Sequence, residues 1–356
     1  MKGCGHEVRI LACNQLGVTV NRNMFFSARF GRWEEEMEGI TVLRCNMRGV
    51  PKWVKYNQQR WCSIVRSMFL DYVKRYGKPD VLHAHCCQWA GVAARIIAEE
   101  HHIPFFITEH LSSGIFKGSY GNGWERNHWA KQLLRETYEK ADGVIPVSEE
   151  LVEDLAPFFG KNYRYTSVSN IIDTDFFAFR KREERHDRPF RFCCLAVANN
   201  GFFTLKGYDI LIEAFKGMQN AELHIAGRGT DGEVMRSAVN GMNNVFLYGE
   251  VDKCGVRELL YKCDALVLAS NSEVQPLVIL EAMSTGIPVV ATEVVPLSER
   301  IDGFCLIARR RDADDLREKM QQSIAIEPSE SLHDKVFELA SPNAVAQKLC
   351  YYFAKA

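Results

Sequence analysis

The chain of 356 residues has almost no net charge: 44 Lys and Arg against 45 Asp and Glu leave −1 with histidine neutral. Proteins that trap nucleic acid electrostatically carry a basic excess, so the chain as a whole is not of that class. Long apolar runs are also missing. Ala265–Ala269 and Ile287–Ala291 are among the longest, far short of the ~20 residues that a membrane-spanning helix needs. No N-terminal stretch joins a basic start, an apolar middle and a small-residue cleavage site, so a secretory leader is not expected. Repeats at solenoid periods and low-complexity tracts are absent too. The 12 cysteines include no Cys-x-x-Cys. Scattered cysteines without a leader read as reduced, buried, small hydrophobes, which implies a cytosolic location. His83, His85 and Cys86 lie along one strand-like run without paired ligand knuckles, so no zinc site is expected.

What is present is an ordinary globular composition, 47% hydrophobic and 25% charged. At ~150 residues per domain the length suggests two domains. Their charges differ. Residues 1–169 carry 22 Lys and Arg against 18 Asp and Glu, a net +4, which leaves −5 for the rest. The basic excess gathers in Arg44, Arg48, Lys52, Lys55, Arg60, Arg66, Lys74 and Arg75. Trp53, Tyr56, Trp61, Phe69 and Tyr72 are interleaved with them. A basic, aromatic helical stretch over 44–75 can lie peripherally on an anionic membrane face. The plainer reading is a solvated helix with its aromatics in the core.

Short β-rich runs alternate with helical periods. Strands are expected at Glu7–Cys13, Val81–Ala84, Pro104–Thr108, Gly143–Val147, Tyr165–Ser167, Arg191–Ala198, Glu222–Ala226, Val245–Leu247, Ala265–Ala269, Pro288–Ala291 and Gly303–Ile307. Helices are expected at Trp89–His101, Glu149–Phe158, Tyr208–Lys216, Val256–Lys262 and Leu277–Thr285. Near-continuous apolar strands in β–α alternation predict parallel sheets covered on both faces. The class is therefore α/β, with two doubly wound, Rossmann-like domains over 1–169 and 170–340 whose sheets face a cleft. The charged stretch Arg180–Arg188, ending at Pro189, reads as a linker. Ser341-Pro342 opens a helix over 341–356, with Val345, Leu349, Tyr352 and Phe353 on one face, expected to return to the first domain.

The most informative stretch runs from Ala265 to Thr292. A strand ends at Ser270, a loop carries Glu273, Pro276 starts a helix, Glu281 follows one turn on, and Gly286 closes it. The free N–H groups of Leu277 and Val278 at that helix start suit a diphosphate. Glu281 is placed to accept from a ribose diol, and Glu273 to reach a hexose beyond the phosphates. Lys206, after a strand, suits the leaving diphosphate. Gly227 and Gly229 flank Arg228 in a tight turn, a weak signal alone. His110 ends a first-domain strand, where a structural hydrogen bond is the competing reading. Ser148 reads as a helix N-cap. Trp124, His128 and Trp129 fall in a Gly-rich aromatic loop that is either an acceptor wall or core.

The Glu273-to-Glu281 stretch resembles the Glu-x7-Glu region of the retaining GT-B glycosyltransferases of family 4. Gly3-Cys4-Gly5-His6-Glu7-Val8 resembles that family's strand entry. Asp80–His85 and Ile107–His110 resemble its central first-domain strands, and Ala141–Ser148 and Asn170–Phe176 its domain junction. Lys206-Gly207, Ala226–Gly229 and Gly249-Glu250-Val251 resemble its donor-side loops. The likeness spans nearly the whole chain. Family members often carry an Arg several residues before the lysine; here that region reads Asn199-Asn200-Gly201, and Arg228 is the candidate second charge.

The resemblance implies transfer, with retention, of a hexose-type sugar from a nucleotide-diphosphate sugar, a UDP-sugar first. The acceptor it implies is a glycan or a lipid-linked sugar, in cell-surface polysaccharide synthesis. Glu273, Lys206 and His110 would be catalytic; Glu281, Leu277, Val278, Arg228, Gly227 and Val251 would bind the donor. The donor is a co-substrate and no cofactor is implied. No Asp-x-Asp constellation suits a nucleotide-bound cation, so positive side chains would take the metal's role. Relatives begin with one more βα unit, ~35 residues, before the element that here starts at Gly3. The alternative is therefore an impaired remnant that binds nucleotide-sugar or a partner protein.

Overall fold

A computed structural model describes residues 1–17, 22–113, 128–182, 188–199, 201–296 and 303–355. Trp124, Asn200 and residues 183–187, named above, lie outside these. The chain divides into two compact units. Unit 1 is Met1–Val168 with Ala346–Ala356, and unit 2 is Ser169–Val345.

Unit 1 opens with β1 (Arg9–Leu16), helix α1 (Arg22–Ser27), β2 (Gly31–Met37) and β3 (Ile40–Arg48). β1 runs parallel and β2 antiparallel to β3 in a three-stranded sheet ordered β1-β3-β2. Helix α2 (Val54–Tyr76) follows, then β4 (Leu82–His85), a tight turn over Cys87–Gly91, and α3 (Val92–His101). β5 (Phe105–Glu109), α4 (His128–Glu139), β6 (Gly143–Pro146) and α5 (Glu149–Phe159) complete the series. β4, β5 and β6 make a second, wholly parallel sheet in that order. Unit 1 thus holds two separate three-stranded sheets. Among the described residues β1 and β4 each pair on one side only. Leu16 O accepts from Gly49 N, so the neighbouring odd-numbered peptide groups of β1 point away from β3. One of them, Cys13 O, accepts from the Trp61 indole on α2 at 3.0 Å.

Two expectations change here. Arg44 and Arg48 belong to β3, not to a helix; burial of Val42, Leu43, Cys45 and Met47 shows a sheet surface, and the helix starts only at Val54. The basic stretch is also largely engaged within the fold. Arg44 pairs with Glu35, Arg66 with Glu100 and Arg75 with Glu34. Phe69 is buried, while Trp53 and Tyr56 remain exposed. No described helix is long and apolar enough to cross a membrane.

Unit 2 is one parallel sheet of six strands, β7 (Phe190–Leu195), β8 (Ala221–Ala226), β9 (Val245–Gly249), β10 (Ala265–Leu268), β11 (Val289–Thr292) and β12 (Cys305–Ala308). Its order is β12-β11-β10-β7-β8-β9. The helices are α6 (Phe202–Leu205), α7 (Tyr208–Phe215), α8 (Glu233–Ala238), α9 (Lys253–Lys262), α10 (Leu277–Ser284), α11 (Ala313–Ser323) and α12 (Glu330–Ala340). Because side chains alternate along a strand, each strand feeds two cores. Cys193, Leu195, Leu266, Leu268, Val289 and Ala291 enter one. Phe192, Cys194, Ala265, Val267 and Val290 enter the other. The adjacent Cys193 and Cys194 therefore face opposite ways, and all 12 cysteines are free thiols. Burial pushes the Cys194 thiol up to about 12.

The stretch Arg180–Arg188 is not a linker: its described ends belong to unit 2. Arg182 donates to the carbonyls of Leu260, Tyr261 and Cys263, which satisfies the C-terminal end of α9. Arg188 makes a bidentate pair with the buried Asp264 at 2.7 and 2.8 Å. The last helix, α13 (Pro342–Phe353), passes from unit 2 to unit 1 at Ala346. There Tyr352 packs against Gly143, and Phe353 lies 4.5 Å from the Phe106 ring centroid.

Candidate active site

In unit 2 the strand order reverses between β7 and β10, since β8 and β9 lie to one side of β7 and β10 to β12 to the other. In an open parallel sheet the crevice at the carboxyl ends of such strands is where ligands bind. Lys206 follows β7 and Glu273 follows β10, and the structure brings them together: Lys206 Nζ lies 2.6 Å from Glu273 Oε1. Ser270 Oγ donates to the same oxygen at 2.7 Å.

The loops that deliver these groups are packed backbone to backbone. Gly207, at φ +66°, has no room for a side chain, because a Cβ there would sit 1.9 Å from the Ala269 carbonyl oxygen. That close approach is the physical need behind Lys206-Gly207. Asn271 stitches the same junction, its N–H on Leu205 O at 2.8 Å and its amide on Thr204 O at 2.6 Å. Gly227, at φ +138°, would place a Cβ 2.1 Å from Ala196 O. Ala198 N then reaches Arg228 O at 2.9 Å, joining the loops after β7 and β8.

Helix α10 presents the expected start. Pro276 occupies its N-cap, one place earlier than the first helical position, and makes no side-chain cap. The N–H groups of Leu277 and Val278 lie in the first turn, where no intrahelical acceptor exists. Gly286, at φ +86°, ends the helix. Glu281 is part-buried, and no hydrogen bond to its carboxylate is found among the described residues. Burial raises its pKa, against the opposing charge of Lys253. A half-buried carboxylate with no donor among the described residues is a candidate ligand-binding group. Val251 packs at the edge of the core near the end of β9. Arg228 is turned outward instead, in an exposed 3.4 Å pair with Glu250.

Residue-by-residue reading of the motif missed Gln275. Its buried amide accepts from Asn170 N at 2.7 Å and donates to Ser169 Oγ at 3.2 Å. That ties the loop between Glu273 and α10 to the first residues of unit 2. Its only sequence signal was its place between the two glutamates. The chain also contains two Asp-x-Asp runs, and both are engaged in local structure. Asp173 accepts from Phe176 N at 3.1 Å and pairs with Lys253 at 2.8 Å. Asp312 caps α11 by accepting from Asp315 N at 3.0 Å.

In unit 1, histidines gather at the carboxyl ends of β4 and β5. His85 Nδ1 lies 3.2 Å from His110 Nε2. His83 Nε2 meets Thr108 Oγ1 at 2.7 Å, and burial pushes His83 down to about 3. Beneath them Glu109 is fully buried and accepts four hydrogen bonds. Cys87 N (2.9 Å) and Tyr138 Oη (2.7 Å) donate to one oxygen; His110 N (3.0 Å) and Leu111 N (2.9 Å) donate to the other. Burial raises its pKa and these donors oppose the rise. Sequence reading passed over Glu109 because a strand-end carboxylate looks like a surface group. Ser148 does sit at the N-cap of α5, but its buried hydroxyl makes no capping bond. His128 starts α4, and Trp129 lines a recess of about 580 Å³ with Lys55, Gln59, Ser63, Arg66 and Gln132.

Residues 1–170 match the glycosyl transferase 4-like domain model, and residues 192–325 match the model for glycosyl transferases group 1. The chain belongs to the group 1, family 4-type glycosyltransferases. Its fold is of the GT-B class, two Rossmann-like α/β units. A relative in Bacillus subtilis, the putative teichuronic acid biosynthesis glycosyltransferase TuaC, is 27% identical over 270 residues, covering 73% of this chain and 64% of that protein. The sulfoquinovosyl transferase SQD2 of Arabidopsis thaliana is 26% identical, over 60% of this chain and 42% of that one. The chain thus spans under two thirds of the length of these relatives. Anabaena HepE, solved in complex with UDP, superposes with a TM-score of 0.70 at 13% identity, covering 98% of this chain and 100% of that one. Sucrose-phosphate synthase from Thermosynechococcus elongatus gives 0.72 at 15% identity, covering 98% and 99%.

Proposed function

We propose that the protein transfers a hexose-type sugar, with retention at the anomeric carbon, from a nucleotide-diphosphate sugar to a glycan or lipid-linked acceptor. A UDP-sugar is the first donor to test. The observation that carries this reading is the Lys206–Glu273 pair at the switch point, beside a helix start with first-turn N–H groups and a carboxylate, Glu281, that has no donor among the described residues. Each part has a task. Glu281 accepts from the ribose diol. The Leu277 and Val278 N–H groups receive the diphosphate, and Lys206 balances the charge that grows on it as the glycosidic bond breaks. Lys206 must then exchange Glu273 for phosphate, which frees Glu273 to accept from the sugar hydroxyls. His110 touches the transferred sugar or the acceptor. No metal is required in this scheme, because the cations and helix N–H groups supply the positive charge. Support for a nucleotide-sugar comes from relatives named as glycosyltransferases and from a neighbour solved with UDP. A role in surface polysaccharide synthesis rests on TuaC's name alone.

The mixed polar and aromatic recess lined by Trp129 is the size of a small glycan and is our candidate acceptor wall. Contact with an anionic membrane would fall to Lys52, Trp53, Lys55 and Tyr56. A second reading is nucleotide-sugar binding without transfer. It is favoured by one observation: Lys206 and Arg228 are both paired to carboxylates, and Asn199 stands near where relatives carry another cation. The test is incubation with UDP-glucose and other nucleotide-sugars, with and without glycan acceptors, following release of the nucleotide diphosphate and the anomeric configuration of the product. Release with an α-linked product supports transfer with retention; a β-linked product overturns retention, and tight binding without release favours the second reading.

A further inference from the structure

We propose that the recess between α2, α3 and α4 holds a neutral sugar by two adjacent hydroxyls, and that Gln58 is the residue that binds this diol. The proposal rests on the reading of this recess as the acceptor wall and specifies the chemistry it takes.

The recess, of about 580 Å³, lies in unit 1, where α3 packs against both α2 and α4. Lys55 and Gln58 line it from α2, Val92 and Ile96 from α3, and Trp129 and Gln132 from α4. Gln58 is 2% exposed, and neither its Oε1 nor its Nε2 has a hydrogen-bond partner among the described residues. Among those residues it is the one buried side chain that leaves two atoms unpartnered. Its neighbours are engaged. Asn57, next in sequence and 3% exposed, donates to Val50 O at 2.7 Å and accepts from Val50 N at 2.9 Å. Ser63 Oγ donates to Gln59 O at 2.9 Å, and Gln132 Nε2 donates to Glu136 Oε1 at 2.9 Å. Two adjacent buried amides thus differ: the turn before α2 satisfies Asn57, and nothing satisfies Gln58. A buried amide without partners costs free energy. One that lines a recess calls for an occupant.

The amide itself selects that occupant. A carboxamide offers a donor and an acceptor side by side, so the ligand must accept at one point and donate at the next. A carboxylate only accepts and an ammonium only donates. A trans secondary amide, such as an acetamido group, turns its N–H and C=O to opposite sides, so it meets one atom of Gln58 at a time. Two adjacent hydroxyls on a sugar ring do both, whichever way round the Gln58 amide is turned. The apolar lining from Val92, Ile96 and Trp129 then takes the C–H face of the ring.

The test uses the full chain labelled with ¹⁵N in its glutamine side chains. The Gln58 NH₂ signals are those missing from Gln58→Met, which keeps the length of the side chain and removes the amide. Methyl glucoside, methyl galactoside and methyl mannoside, which between them present trans and cis diols, are titrated, with their fully O-methylated forms as controls. At least one glycoside should shift the Gln58 signals saturably, and its O-methylated form should not. Calorimetry should show Gln58→Met binding that glycoside about tenfold or more weakly, the effect of losing two neutral hydrogen bonds. Its denaturation midpoint should equal or exceed that of the wild type, because an unpartnered amide is gone. No shift with any of the three glycosides, equal shifts with the O-methylated forms, or a long-lived water on the Gln58 amide that no glycoside displaces would overturn the proposal. A lowered midpoint in Gln58→Met with unchanged glycoside binding makes the amide structural and overturns it as well. Glycoside binding at Gln58 without nucleotide release from any donor supports this site and removes transfer; transfer with a silent Gln58 does the reverse.

Discussion

The carboxyl ends of the strands look different in the two units. In unit 2 a continuous six-stranded sheet carries groups with unspent capacity: Glu281 without donors among the described residues, first-turn N–H groups on α10, and a cation–carboxylate pair that a ligand could separate. In unit 1 the corresponding edge has its groups paired with one another. Glu109 accepts four hydrogen bonds, His85 and His110 bond to each other, and His83 bonds to Thr108. An arrangement with open valences is built to bind charge; one with closed valences is built to hold geometry. This contrast is the physical basis for giving unit 2 the donor and unit 1 an orienting role.

The sharpest way to break the comparison is at the loop packing of unit 2. Gly207→Ala puts a methyl against the Ala269 carbonyl at a positive φ. It should cost about 4 kcal/mol or more, read as a lowered denaturation midpoint, and abolish donor binding with it. Next comes Lys206→Ala, which should lower turnover ~10²–10³-fold, the effect of removing one preorganised charge stabiliser. The fold should be unchanged by circular dichroism, and near-normal rates would sink the assignment of Lys206.

Smaller effects belong to unit 1. Glu109→Gln places an amide NH₂ where only acceptors fit. It should destabilise by ~1–3 kcal/mol, measured by urea unfolding, with Tyr138→Phe milder. His83 gives a pH signature. Its pKa falls from the usual ~6.5 to about 3 in the fold. The unfolded chain therefore binds a proton that the folded chain refuses. This contribution to stability is complete above about pH 6.5 and is lost as pH drops towards about 3. Melting temperatures across that window should fall less steeply for His83→Gln than for the wild type; parallel curves would contradict the assignment. At the bottom of the scale, Arg228→Ala removes an exposed pair and should change stability by ~0–1 kcal/mol and UDP affinity little.

Much of unit 2 was legible in the sequence. Its strands are apolar on both faces, and its helix over Leu277–Ser284 is bracketed by Pro276 and Gly286. Those are local signals, and local physics decides them. The Lys206–Glu273 pair was not readable as a contact, because 67 positions separate its members and only the sheet order brings them together. Gln275 and Glu109 were passed over for a related reason: their roles come from burial, which no pattern of neighbours reveals. Unit 1 was harder. β2 and β3 were missed because Trp33 to Met37 carries three exposed or half-exposed glutamates on an outer strand. Arg44 and Arg48 then appeared to continue a helix that begins only at Val54. The charged run at 180–188 misled in the opposite sense, because arginines that satisfy helix-end carbonyls look from sequence like solvent-facing ones.

The claim that unit 2 has open valences for a nucleotide-diphosphate is tested most directly by titrating UDP calorimetrically into the wild type, Glu281→Ala and Arg228→Ala. The account predicts saturable binding to the wild type and to Arg228→Ala. In Glu281→Ala affinity should be about tenfold or more weaker, as expected when charge-assisted hydrogen bonds of ~1.5–3 kcal/mol are lost. Equal affinity in the wild type and Glu281→Ala, or no binding of UDP to any of them, would contradict it.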